Sequence, residues 1–195
     1  MREAGGRVGP MAVQTCAACG GSDLRFHTRF GGVITGGEWT INVCTDCGTG
    51  LLQTWPDEEE IREFYRGRYG RSEDPEPQRR EHRNSYDEWY VAECERYRAP
   101  GLFLDVGCGG GELLEVAKRR GWAAMGVEPA GSARYYSKRL PGVRVHIGPL
   151  ETAGLPDSSV DVVNFRHVIE HLRAPRETLL EARRVLRSGG VVVVS

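Results

Sequence analysis

The sequence predicts an α/β chain: a mostly parallel, doubly wound sheet preceded by a small cysteine-stapled module. Three observations carry that prediction. From Pro100 onward, apolar runs of strand length alternate with amphipathic stretches of helix length. A cluster of glycines follows the first of those runs directly. Upstream, four cysteines stand as two close pairs, each with a glycine behind it.

The elements follow in order. Residues 1 to 11 read as a loose leader without an apolar segment, so no secretory signal is supported and a cytoplasmic location is expected. Then come Cys16-x-x-Cys19 and Cys44-x-x-Cys47, trailed by Gly20 and Gly48. Two residues between thiolates let both sulfurs reach one tetrahedral Zn²⁺ from a single tight turn, and the glycine supplies the positive φ such a turn needs. A structural zinc on Cys16, Cys19, Cys44 and Cys47 is therefore expected ahead of a disulfide framework; the alternative is two reduced or redox-active pairs. Four thiolates leave no open position, which makes such a metal structural rather than catalytic. Between the pairs, Asp23–Phe30 and Trp39–Val43 favour strands, split by Gly31, Gly32, Gly36 and Gly37. Residues 12–55 thus read as a zinc ribbon, a module too small to hold itself without a staple. His27 has no partner at ligand spacing and is expected on the surface; Cys94 and Cys108 stand alone and are expected to pack.

Residues 56–99 read as a helical connector or cover. Asp57–Tyr65 has acidic residues where a helix dipole favours them. Arg71–Gln78, with Pro75 and Pro77, is a polar break, and Arg79–Arg98 a longer helix. Tyr86, Trp89, Tyr90, Cys94 and Tyr97 fall near one face of it. That stripe is expected to pack; its alternative is to cover a substrate pocket.

Residues 100–195 supply the sheet. Leu102–Val106, Ala123–Val127, Val143–Ile147, Val160–Phe165 and Val191–Val194 are the strands; Gly111–Arg120 and Arg176–Leu186 suit helices. Strands this apolar belong in a parallel sheet covered on both faces. With 26 Lys plus Arg against 27 Asp plus Glu, the net charge is -1, which opposes a generic nucleic-acid binder. No run approaches the roughly 18 apolar residues of a membrane span.

The chemistry concentrates at Asp105-Val-Gly107-Cys108-Gly109-Gly110-Gly111. A strand, close glycines and a helix start form a nucleotide-type cofactor site, because the chain must turn sharply and let a ligand approach its backbone. Glu128, about 20 residues on at the end of the second strand, can accept hydrogen bonds from both ribose hydroxyls. The spacing is G-x-G-x-G: the third glycine of a dinucleotide fingerprint would fall at Glu112. An adenosine cofactor other than a dinucleotide is therefore expected.

These motifs resemble those of class I S-adenosylmethionine (SAM)-dependent methyltransferases. Asp105-x-Gly107-x-Gly109-x-Gly111 resembles their first motif and Gly126-Val127-Glu128-Pro129 their acidic second. The segment Asp161–Leu172 is similar to their fourth-strand motif, and Val185–Gly190 to the turn before strand five. The upstream half is similar to a bacterial subgroup in which two CxxCG knuckles precede the methyltransferase domain. The resemblance implies a Rossmann-like fold and SAM as cofactor. Asp105 would contact the SAM amino group, and the backbone of Gly107, Cys108 and Gly109 would line its methionine part. Glu128 would bind the ribose with Pro129 beside the adenine, Leu150 and Glu151 would hold the adenine edge, and Phe165 and Arg166 would close the methionine side.

His167-Val-Ile-Glu170-His171 matches the H-x-x-E-H of inverted zinc peptidases, but it continues a strand, and only a short stretch follows it for a third ligand. In the methyltransferase context His167 leaves the carboxyl end of the fourth strand, where it could serve as a general base; the plainer alternative is that it borders the cofactor. The expected reaction is methyl transfer to an O, N or C atom of a small-molecule or glycan acceptor, with the ribbon and the helices of 57–98 on the acceptor side. The rivals are an RNA-modifying methyltransferase, a nicotinamide-dependent oxidoreductase and a non-catalytic SAM-binding protein. The resemblance implies seven strands, and five are counted from Leu102. A chain truncated after the fifth strand is thus expected, or one whose last strand is covered by a partner or a second copy.

Overall fold

The computed structural model describes residues 11–31, 37–56, 59, 61, 77–129 and 140–195. The chain divides into two compact units, Met1–Ser72 and Glu73–Ser195.

The first unit is all β among its described residues, apart from Glu59 and Ile61, which are helical; the rest of the helix expected over 57–65 lies outside them. Strands β2 (Leu24–Gly31), β3 (Glu38–Cys44) and β4 (Gly50–Leu52) form an antiparallel sheet in that order. Strand β1 (Met11–Ala12) pairs antiparallel with β5 (Thr54–Trp55). The β2–β3 register slips between Phe26 and Thr28, which makes His27 an extra residue on its strand. His27 is exposed, as its spacing predicted.

The second unit begins with α1 (Pro77–Glu95). The polar break expected to Gln78 ends earlier, because Pro77 suits the first helical position, where a missing N–H costs nothing. Five strands follow: β6 (Leu102–Val106), β7 (Ala123–Glu128), β8 (Arg144–Ile147), β9 (Val160–Phe165) and β10 (Leu186–Val194). They form one sheet in the order β10-β9-β6-β7-β8, every pairing parallel. Helix α2 (Glu112–Arg119) links β6 to β7, and α3 (Pro175–Val185) precedes β10. This is a doubly wound, Rossmann-like sheet, and its strand order reverses between β6 and β9.

The core lies on both faces of that sheet, and the strand alternation assigns each residue to one. Phe103 and Val162 join Val91 and Cys94 of α1 and Leu114 and Val116 of α2. Leu104, Val163 and Phe165 join Ala182 and Val185 of α3. Trp122 packs edge-on against Phe103 at 5.7 Å. The aromatic stripe of α1 divides: Tyr90 and Cys94 are buried, while Tyr86, Trp89 and Tyr97 are exposed. Strand β10 starts earlier than the valine run indicated. Leu186 already pairs with Val160, Arg187–Gly190 bulge out, and regular pairing resumes at Val191 opposite Val162. Gly189 takes φ 71° within that bulge.

Candidate functional site

Ligands of doubly wound sheets sit beyond the carboxyl ends of the strands, where the order reverses. Here that place is the end of β6 beside β9. Asp105 pairs in register with Asn164 on one side and Gly126 on the other, on the sheet face that α1 and α2 cover. Asp105 is buried, and among the described residues it accepts one side-chain hydrogen bond, from Asn164 Nδ2 at 2.7 Å. Burial pushes its carboxyl up to about 7, against the Asn164 donor and the nearby Arg166 guanidinium. A buried carboxylate with so few donors stands ready for a cation or an N–H group.

The chain then turns through Gly107–Gly111. Gly107 has φ 72°, and a Cβ there would lie 2.4 Å from Val168 Cγ2. Gly111 caps α2 in the left-handed region, at φ 80°. The N–H groups of Gly107 and Cys108 both reach Val127 O, at 2.7 and 3.2 Å. The Gly109 N–H donates to Glu128 Oε2 at 2.8 Å. The loop and the second-strand acid are thus one unit: a backbone N–H holds the carboxylate at the end of β7. Cys108 is buried behind them, where burial pushes its thiol well above the usual range. A Cβ at Gly126 would stand 2.6 Å from its sulfur.

The remaining expected residues surround this point. Pro129 is exposed just past β7. Leu150 is buried at the start of a short 3₁₀ turn, Leu150–Thr152, after β8. Glu151 in that turn is exposed, and its carboxylate accepts from Thr178 Oγ1 of α3 at 2.6 Å. Phe165 ends β9 fully buried; the Arg166 guanidinium lies against Asp87 of α1 and over the Tyr90 ring, 5.7 Å from its centroid. His167 has a left-handed backbone, φ 54°, and a side chain 80% exposed. Its Nδ1 lies 4.0 Å from Glu170, and its backbone N–H donates to Ser195 O. Two groups escaped the sequence argument, Asn164 and Asp87, while Tyr90 entered it only as a member of the aromatic stripe. Only the presence of an Asn between apolar residues, in Val162–Phe165, could have flagged the first.

The residues fit the chemistry of SAM: Gly109 has nothing within 4 Å of where a Cβ would stand, Glu128 presents a carboxylate at the end of β7, and Asp105 is a buried carboxylate with one side-chain donor among the described residues.

In the first unit the four cysteines come together. Their sulfurs all lie within 4.8 Å of one another, with Cys16–Cys47 and Cys19–Cys44 at 3.6 Å. None is disulfide-bonded. Zn–S bonds of about 2.3 Å in a tetrahedron put sulfurs about 3.8 Å apart, so the cluster suits such an ion. Both turns are built alike: the N–H of Gly20 reaches Cys16 O and that of Gly48 reaches Cys44 O, with φ of 82° and 76°. Thr49, through its hydroxyl and N–H, and then Cys19 pull the Cys47 thiol down to about 6. The Gly21 N–H lowers Cys19, but Cys47 and Cys44 override it and push that thiol up to about 12. Four sulfurs this close need a cation to ionise together.

Comparison with known proteins gives likenesses of sequence and fold. Residues 104–194 match a family model described as a methyltransferase domain. A probable SAM-dependent methyltransferase of Mycolicibacterium smegmatis is 38% identical over 96 residues, which is 47% of this chain and 36% of that protein. A ubiquinone biosynthesis O-methyltransferase of Aeromonas salmonicida is 35% identical over 109 residues, covering 50% of this chain and 45% of that protein. The chain spans less than half the length of these curated relatives. A solved structure from Pyrococcus horikoshii superposes with a TM-score of 0.54 at 24% identity, over 68% of this chain and 60% of that one, a likeness of fold. Residues 104–194 are thus similar to a methyltransferase domain, and the fold around them is shared with the Pyrococcus horikoshii structure.

Proposed function

We propose that this chain binds SAM at the β6–β9 switch point and transfers its methyl group to a small-molecule acceptor. An O, N or C atom, on a small metabolite or a glycan, fits the reading; the O-methyltransferase name of one relative favours oxygen. The observation that carries it is the Gly109 N–H holding Glu128 while Asp105 stands buried beside the same loop. When bound, SAM supplies a methyl group already activated by its sulfonium. The chain's own residues then align and desolvate. Asp105 holds the amino group, Glu128 the ribose and the loop backbone the methionine part, while Leu150 and Glu151 border the adenine with Pro129. Phe165 and Arg166 close the methionine side. His167 is the proposed base for an acceptor that must lose a proton, and it stands exposed at the end of β9 with Glu170 nearby. In the ribbon, Cys16, Cys19, Cys44 and Cys47 hold a structural Zn²⁺. Thiols kept reduced for that role accord with a cytoplasmic location, and no helix among the described residues is long and apolar enough to cross a membrane.

Calorimetry with SAM and with NAD(H) tests the cofactor. Binding of SAM alone is expected, and Glu128→Ala should weaken it about tenfold or more without unfolding the chain. Binding of NAD(H) instead, or an unchanged Glu128→Ala affinity, would sink the assignment. Metal analysis should find one zinc per chain. Chelation should erase the ordered amide signals of the ribbon.

A further inference from the structure

The stretch Val162–Phe165 of β9 is fully buried and, apart from Asn164, apolar. A buried amide is costly unless both its ends are bonded. Both ends are. The Tyr90 hydroxyl of α1 donates to Asn164 Oδ1 at 2.8 Å, and Asn164 Nδ2 donates to Asp105 Oδ1 at 2.7 Å. The Ser195 hydroxyl lies 3.3 Å behind the Tyr90 oxygen, placed to donate to it. Polarity therefore runs one way, from Tyr90 through Asn164 to the carboxylate. Beside a carboxylate the amide must turn its N–H toward Asp105, which leaves its Oδ1 to accept from the Tyr90 O–H. Reversed, it would set a carbonyl against a carboxylate. Tyr90 is itself fixed on its ring face by Arg166, which Asp87 of α1 holds from a fully buried position.

We infer that Tyr90 and Asn164 are positioning residues of the cofactor site, through which helix α1 sets the orientation of the Asp105 carboxylate. The inference rests on the SAM reading above for its purpose, but its geometry belongs to the chain alone. The pair leaves the remaining face of Asp105 for the ligand's amino group and resists rotation of the carboxylate. It also couples the site to helix α1, which carries none of the glycine or acidic motifs. The groups that bear on Asp105 are Arg166 at the end of β9, Asp87 and Tyr90 from α1, Glu128 from β7 and Cys108 from the loop. Of these, Arg166 favours the carboxylate and Asp87 and Glu128 oppose it. Asn164 gives it its direct donor.

The test follows the Asp105 carboxyl by carbon NMR across about pH 5 to 9 in the ligand-free full chain. Wild type, Tyr90→Phe and Asn164→Leu are compared, and SAM affinity is measured by calorimetry over the same range. Wild-type Asp105 is expected to titrate near its value of about 7. Asn164→Leu should move the midpoint upward by about one unit, and Tyr90→Phe by less, because the amide is then free to turn. SAM affinity near pH 7 should fall about tenfold and about fivefold respectively, and the loss should shrink toward pH 9, where Asp105 is ionised in every variant. A merely structural role would lower affinity equally at every pH. Folded variants with an unmoved midpoint and an unchanged pH profile would overturn the inference. Should Asn164→Leu fail to fold, the Tyr90→Phe midpoint decides alone. A moved midpoint in a chain that binds no SAM at any pH would support the positioning pair and reject the cofactor reading.

Discussion

Two buried aspartates on neighbouring strands of one sheet meet opposite fates. Asp161 opens β9 at the amino end of the sheet; Asp105 nears the carboxyl end of β6. Asp161 is saturated. Its Oδ1 accepts from Arg98 Nε and Nη2 at 3.1 and 2.8 Å, and its Oδ2 from the Leu102 N–H and Arg187 Nη1, both at 2.8 Å. Burial raises its carboxyl, but the Leu102 N–H, then Arg98 and Arg187, more than offset that, so it lies below the usual range. Asp105 has the one amide donor and lies well above it. The same side chain, shielded from solvent in both places but set deeper at Asp105, is structural where the fold completes its hydrogen bonds and receptive where the fold withholds them. The pairing also explains the β10 bulge, which carries Arg187 to the Asp161 carboxylate.

The contrast can be broken or sharpened by substitution. The largest effect is expected at the saturated end. Asp161→Asn should cost about 3 kcal/mol of folding stability, because it removes the charge that two guanidinium groups share and leaves one acceptor oxygen where two stood. Urea denaturation reads the loss, and SAM affinity should stay within about twofold. Asp105→Asn should do the reverse. A carboxyl raised on folding binds its proton more tightly in the native state, so stability falls as pH rises from about 4 to the folded value of about 7 and stays low above it. The neutral amide should therefore gain on the order of 2 kcal/mol at pH 8, fading to nothing near pH 4, while SAM binding is lost. A loss of stability at pH 8 would erase the distinction between the two aspartates. The smallest effect is expected for Gly107→Ala. Its Cβ would press on Val168, and φ 72° disfavours a side chain, for a cost of about 1 kcal/mol confined to the Asp105 end. A SAM affinity unmoved by that change would place the ligand elsewhere on the sheet.

Much of this frame could be read from residues alone. Leu102–Val106 and Val160–Phe165 are strands to the residue, since short, mostly apolar runs flanked by turn formers leave few other choices. The meeting of the cysteine knuckles followed from spacing, because a short turn fixes the reach of its two thiols; the Gly109–Glu128 hydrogen bond was not foreseen. Strand β4 and the β1–β5 pair were not foreseen: two or three residues carry no periodicity. The Tyr90–Asn164–Asp105 line was hidden for a different reason. Tyr90 is 74 residues from Asn164, and the stripe it belongs to reads the same whether its members face the core or solvent. Asp87 is illegible on the same ground, since nothing local predicts a fully buried charge on a polar helix.

The close approach of Gly126 to Cys108 turns that cysteine into a built-in gauge. An alkyl group on its sulfur would occupy space that the strand backbone already fills, so the folded loop excludes the adduct as well as the reagent. Thiol labelling at Cys108, followed by mass spectrometry, therefore counts openings of the glycine loop. A ligand seated on that loop should slow the count in proportion to its occupancy, which gives a binding assay that needs no acceptor and no turnover.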